Sequence, residues 1–212
     1  MTNRGDAGAQ ALPPSNWNAP NIITVVRICF IPAMLWLLIA DAGRDDTARW
    51  VAAALFIVAI ATDGIDGAIA RRYNLITDLG KLLDPIADKG LTGAALVGLA
   101  MLGELPWWVV AIVLVRELGI TLWRLVELRR GLVIPASRGG KIKTVSQGIA
   151  ISLAMLPLWI VLGEWVHWLN GVTMTVAVVL TLASGLDYLV RGWNENRGAA
   201  GDGAGGLERN DE

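Results

Sequence analysis

Six apolar blocks of about 20 residues each alternate with short polar stretches along this chain, at approximately 21–41, 50–71, 82–103, 106–130, 143–163 and 165–191. As a helix, a block of that length matches the hydrocarbon thickness of a bilayer. The pattern therefore predicts an all-α integral membrane protein with six transmembrane helices. Only Gly163-Glu164 separates the last two blocks. Residues 1–15 are polar and without period, and 193–212 are rich in glycine and alanine. Both read as disordered tails flanking one helical domain at 16–192. Ala40-Asp41-Ala42 looks like a small-x-small cleavage site, but the block before it is too long for a signal peptide and reads as a retained span. Cys29, the single cysteine, lies within that block and reads as a buried, inert thiol.

Composition supports the membrane reading. The 212 residues are 54% hydrophobic and only 17% charged, with ten tryptophans and a mean hydropathy of +0.52. That excludes an ordinary soluble domain, and no nucleic-acid partner is expected. The net charge of −1 says less than its distribution. Of the 18 lysines and arginines, Arg44 and Arg49 fall on one side of the spans, Arg116 lies inside one, and the rest gather on the other side. Positive charge marks the cytoplasmic face, which places both termini and the 131–142 loop there, in a multi-pass membrane protein. Trp50, Trp107, Trp108, Trp165 and Trp168 form a belt at the opposite interface. His167 lies in that belt and reads as structural. The chain has no convincing internal repeat, so an inverted-repeat transporter gains no support.

Against this apolar background, four acids stand out: Asp63, Asp66, Asp84 and Asp88. Each costs roughly 2.5–3.5 kcal/mol at a helix centre, so four cost about 10 unless neutralised. At about 100° per residue, with Asp63 at 0°, Asp66 falls at about 300°, Gly67 at about 40°, Ala70 at about 340° and Arg71 at about 80°. The acids thus share a stripe with small residues, and Asp84 and Asp88 share another face. Four carboxylates balance two divalent cations, and oxygen-only ligands point to Mg²⁺ or Mn²⁺. Such a pair could clamp a phosphoryl group and polarise an attacking oxygen. Asp63 should lie about 12 Å deeper than Arg71 along a regular helix, which requires a cavity open to both cytosol and membrane. A second group of charges is basic. Arg116 and Arg124 on the fourth span, with Arg138, Lys141 and Lys143 before the fifth, would form a pocket for a phosphate-bearing substrate. Glu117 points to another face than Arg116.

The series Asp63, Asp66, Gly67, Ala70, Arg71, Gly80, Asp84, Asp88 resembles the complete signature of the CDP-alcohol phosphatidyltransferase family. The resemblance extends as a membrane architecture over roughly residues 20–192. It implies an active site at the cytoplasmic end of the bundle, in which a hydroxyl attacks the β-phosphorus of CDP-diacylglycerol and CMP leaves. Asp63, Asp66, Asp84 and Asp88 would hold two Mg²⁺ or Mn²⁺ ions, with Asp88 also the general base. Gly67, Ala70 and Arg71 would border the CDP moiety, with Asn21, Thr24 and Thr77 as further contacts. Arg116-Glu117, Arg124 and the run Gly140-Lys141-Ile142-Lys143-Thr144 look like the members that use sn-glycerol 3-phosphate, the phosphatidylglycerophosphate synthases. Arg116, Arg124, Arg138, Lys141 and Lys143 would then bind the acceptor's phosphate. Family members are commonly dimeric, which implies a homodimer in contact with membrane lipids, and the small residues of the third and fourth spans could pack together. Two other readings are the same chemistry with inositol phosphate, and a divalent-cation transporter, for which the apolar outer half of the spans offers no polar path.

Overall fold

The computed structural model describes residues 18–40, 46–73, 77–129 and 138–205, and in them seven helices and no strand. They are α1 (Ala19–Ile39), α2 (Asp46–Arg72), α3 (Asp78–Met101), α4 (Trp107–Arg129), α5 (Arg138–Met155), α6 (Trp159–Leu162) and α7 (Trp165–Gly205). Local chemistry sets several of the ends. Asn18 caps α1 by accepting the Asn21 N–H at 3.0 Å, and Pro20 occupies the first turn, where its missing N–H breaks no helix bond. Thr77 caps α3 in the same way through the Gly80 N–H. After α3 the chain turns through Gly103 at φ 77°, a conformation that a side chain would strain.

Helix α1 packs along both α2 and α3, and α5 lies against α7. Helix α4 joins α3 to α7, while α5 also touches α2 and α3. The core between them holds Met34 and Leu38 of α1, Phe56 of α2, Leu91, Leu96 and Leu99 of α3, Val113 of α4, Ile151 and Met155 of α5, and Ala177 of α7. Large apolar side chains also cover the outside, among them Trp36, Val58, Val115, Leu122 and Leu186. Helices apolar on all sides suit a hydrocarbon surround. Three stretches, Ala19–Ile39, Thr47–Gly64 and Trp165–Val190, are long and apolar enough to cross a membrane.

The helices depart from the six predicted blocks in instructive ways. The block expected at 143–163 is broken after Met155, because Pro157 disfavours a helical residue before it and donates no hydrogen bond. A single turn, α6, follows and ends at Gly163 with φ 90°. Helix α7 continues to Gly205, past the boundary expected at 192. No proline interrupts it, and adding a turn to an existing helix is far easier than starting one. The expected tail at 1–15 and the end of the C-terminal tail lie outside the described residues. Cys29 is exposed and not buried, since an apolar neighbourhood in sequence does not distinguish a lipid-facing from a protein-facing position. The small residues of α3 receive α1 as well as α4. A methyl group added at Gly98 would stand 2.7 Å from Leu38 Cδ2.

At the end of the bundle where α2 starts, one arginine gathers four segments. Arg49 is 1% exposed and grips both carboxylate oxygens of Glu104. It also donates to the Met155 and Ala154 carbonyls at 3.1 Å and lies 4.5 Å from the centre of the Trp159 ring. Trp159 in turn stacks on His167, 5.2 Å between ring centres, a structural use of the single histidine. Replacing Arg49 with methionine should therefore lower the unfolding free energy by about 2–3 kcal/mol, a little under the range for a fully buried pair because Glu104 is partly hydrated. Denaturant titration in detergent checks this, and an unchanged midpoint would deny the clamp its role.

Candidate active site

The acids predicted to act together occupy two helix ends facing α1. Residues 63–71 all lie on the unbroken helix α2, and Asp84 and Asp88 lie one turn apart near the start of α3. Helix α1 supplies the groups that hold Asp63 and Asp84. Arg27, 2% exposed, places Nη1 2.5 Å from Asp63 Oδ1. Thr24, 1% exposed, donates its hydroxyl to Asp84 Oδ1 at 2.8 Å. One turn earlier on α1, Asn21 donates Nδ2 to Thr77 Oγ1 at 2.7 Å, the same oxygen that caps α3. These contacts need α1 and α3 to approach closely, and Gly80 permits it: a Cβ there would stand 2.6 Å from Asn21 Oδ1.

A cavity of about 830 Å³ opens beside the acids. Arg27, Asp63, Asp88, Lys89, Glu117 and Lys143 supply its charged lining. Most of the remaining wall is apolar, including Ile57, Ile60, Ile86, Leu114 and Leu118. Lys89 lies 2.8 Å from Asp88 and 2.9 Å from Glu117. The Glu117 carboxylate also accepts from Lys143 and, at 3.0 Å, from Arg116. One buried acid thus answers cations from three helices.

Of the basic residues expected around one pocket, Lys143 alone among the described side chains lines this cavity. Arg116 instead turns toward α7, donating to Ser184 Oγ at 2.8 Å. Arg124 lies 5.8 Å from the centre of the Tyr188 ring. Arg116 occupies the α7-facing side of α4, whereas Glu117, about 100° from it around the helix, faces the cavity. Lys141 is exposed on α5. The side chains of Arg138, Asp66, Ala70 and Arg71, and the surroundings of Gly67, lie outside the description. Asn21, Thr24 and Thr77 are buried, each bonded across the α1–α3 contact.

The carboxylates offer hard oxygen donors, the chemistry that Mg²⁺ and Mn²⁺ select, and Asp63 and Asp88 border one space. The donor set fits such ions, although among the described residues no three acids, histidines or cysteines enclose a single point. Sequence reasoning passed over Arg27, Lys89 and Glu117 as site residues. Arg27 carried a usable signal, since an arginine inside an apolar span requires a partner.

The model of the CDP-alcohol phosphatidyltransferase family matches residues 17–183. A protein of Mycobacterium tuberculosis (strain CDC 1551 / Oshkosh) named probable phosphatidylglycerophosphate synthase is 48% identical over 174 residues, covering 82% of this chain and 81% of its own. The CDP-diacylglycerol–glycerol-3-phosphate 3-phosphatidyltransferase of Bacillus subtilis (strain 168) is 39% identical over 189 residues, covering 84% and 96%. That of Rickettsia felis (strain ATCC VR-1525 / URRWXCal2) is 33% identical over 178 residues, covering 81% and 93%.

Two glycines on the acidic helices provide a paired test of the packing. Gly80→Ala should destabilise the protein by about 1–3 kcal/mol through overpacking against Asn21. Gly64→Ala meets nothing within 4 Å and should be neutral or stabilising by up to about 1 kcal/mol from helix propensity. Unfolding measurements that rank the two the other way would contradict the α1–α3 contact.

Proposed function

This chain belongs to the CDP-alcohol phosphatidyltransferase family, and from that premise we propose that it transfers the phosphatidyl group of CDP-diacylglycerol to sn-glycerol 3-phosphate. The products are phosphatidylglycerophosphate and CMP. One observation carries the proposal: Asp63 of α2, Asp88 of α3 and Lys143 of α5 all border a single, largely apolar cavity. Such a space suits a lipid diphosphate and an anionic acceptor together. The names of the relatives favour glycerol 3-phosphate over inositol phosphate, and family membership disfavours cation transport.

In this reading the acceptor hydroxyl attacks the β-phosphorus, the bond from that phosphorus to the CMP oxygen breaks, and CMP leaves with the electron pair. Asp88 takes the hydroxyl proton. Lys89, 2.8 Å away, orients the Asp88 carboxylate toward the cavity. Divalent cations held by Asp63, Asp66, Asp84 and Asp88 would neutralise the diphosphate and assist the departure of CMP. Arg27 and Thr24 aim Asp63 and Asp84 for that purpose. Gly67, Ala70 and Arg71 border the CDP moiety, while Asn21 and Thr77 fix the helix ends around it. Lys143, approached through Arg138 and Lys141, meets the phosphate of the acceptor. The apolar wall of Ile57, Ile60, Ile86 and Leu114 accepts the lipid end of the donor. We place this end of a six-span bundle at the cytoplasmic face of the membrane, in a homodimer.

Purified protein given CDP-diacylglycerol should release CMP with sn-glycerol 3-phosphate and not with inositol phosphate. Asp88→Asn should lower kcat by about 10²–10⁴-fold. Chelation of divalent ions should stop CMP release, and Mg²⁺ or Mn²⁺ should restore it. Release with inositol phosphate alone would overturn the acceptor, and full activity of Asp88→Asn would overturn the base.

A further inference from the structure

Glu117 has no role in the reaction as described so far, yet it stands at the centre of the charged wall. Its side chain is 7% exposed and that of Lys143 3%. Oε1 accepts from Lys143 and Arg116, and Oε2 from Lys89. We infer that Glu117 is a positioning residue that sets Lys89 and Lys143 as a paired cationic seat for the phosphate of the acceptor. The inference rests on the proposed acceptor and names where its phosphate sits.

Three observations support it. Lys89, Glu117 and Lys143 all line the cavity, whereas the Arg49–Glu104 pair, which only ties helices together, does not. A lysine ends in a point charge on a flexible four-carbon stem, so two lysines from different helices need a shared anchor to hold a fixed spacing. The two oxygens of one carboxylate provide that anchor. Finally, Arg116 shares the Glu117 charge from outside the cavity wall, so Lys89 and Lys143 keep part of their positive charge for an entering phosphate monoester. Lys89 also touches Asp88. A phosphate seated on Lys89 therefore leaves the glycerol backbone beside the base.

The test is the separation of the two Michaelis constants. Glu117→Gln keeps the shape and removes the charge. It should raise KM for sn-glycerol 3-phosphate by about tenfold or more, the scale of an interrupted buried charge pair, and weaken inhibition by inorganic phosphate in parallel. KM for CDP-diacylglycerol should stay within about twofold, as expected where donor binding is untouched. Glu117→Asp should recover part of the loss. On a Lys143→Gln background, Glu117→Gln should add little, because the two act as one unit. That double variant removes both buried charges, so it also tests the inference if Glu117→Gln alone fails to fold. An unchanged or lower KM for the acceptor, equal changes in both constants, or additive effects would overturn the inference. Wild-type protein inactive with sn-glycerol 3-phosphate would overturn the proposed acceptor, and the seat with it. Wild-type activity alongside an indifferent Glu117→Gln would overturn the seat alone.

Discussion

An acid at the end of an apolar helix must be answered by a partner, and in this protein α1 provides it. Arg27 meets Asp63, Thr24 meets Asp84, and Asn21 holds the Thr77 cap of the helix that carries Asp84 and Asp88. Asn21, Thr24, Arg27 and Thr77 are nearly inaccessible to solvent while Asp63 and Asp84 stay exposed, so losing a bond leaves a buried group unsatisfied on the α1 side. The close packing of α1 against α3 follows from the same need. Gly80 and Gly98 clear the path at two levels, beside Asn21 at one and beside Leu38 at the other.

The bundle has charge at both ends and a dry core between them. At one end Arg49 binds Glu104 and two carbonyls and closes the helices together. At the other, Arg27, Asp63, Asp88, Lys89, Glu117 and Lys143 surround open space. Both arrangements use buried arginine or lysine against carboxylate, but only the second leaves its charges on a cavity wall. A tie that stabilises can be closed on itself, whereas a site that binds must keep charge exposed to its ligand. That contrast gives the two clusters different parts in a protein that handles a lipid diphosphate.

Much of this was legible in the sequence because hydrocarbon makes charge conspicuous. Asp63 to Arg71 was expected on one helix and Asp84 with Asp88 on the next, and the helices run that way. Less visible was which face each cation takes. Arg116 and Glu117 are neighbours in sequence, yet the acid faces the cavity and the arginine turns to Ser184. Apolar residues cover the protein inside and out, so hydropathy could not assign the faces of α4, nor show that Cys29 is exposed. Arg27 stood only among the charges of the positive face because its partner lies 36 positions further on. The break at Pro157 could have been read from the residue itself, but the continuous hydropathy around it masked it.

The central claim is that the carboxylates of two neighbouring helix ends, oriented from α1, converge on divalent ions. Diffraction from crystals grown with Mn²⁺ tests this most directly, through anomalous scattering from the metal. The account predicts two peaks within coordination distance of Asp63, Asp66, Asp84 and Asp88, with Arg27 and Thr24 still beside their acids. Peaks elsewhere, or none while these carboxylates point away from one another, would contradict it.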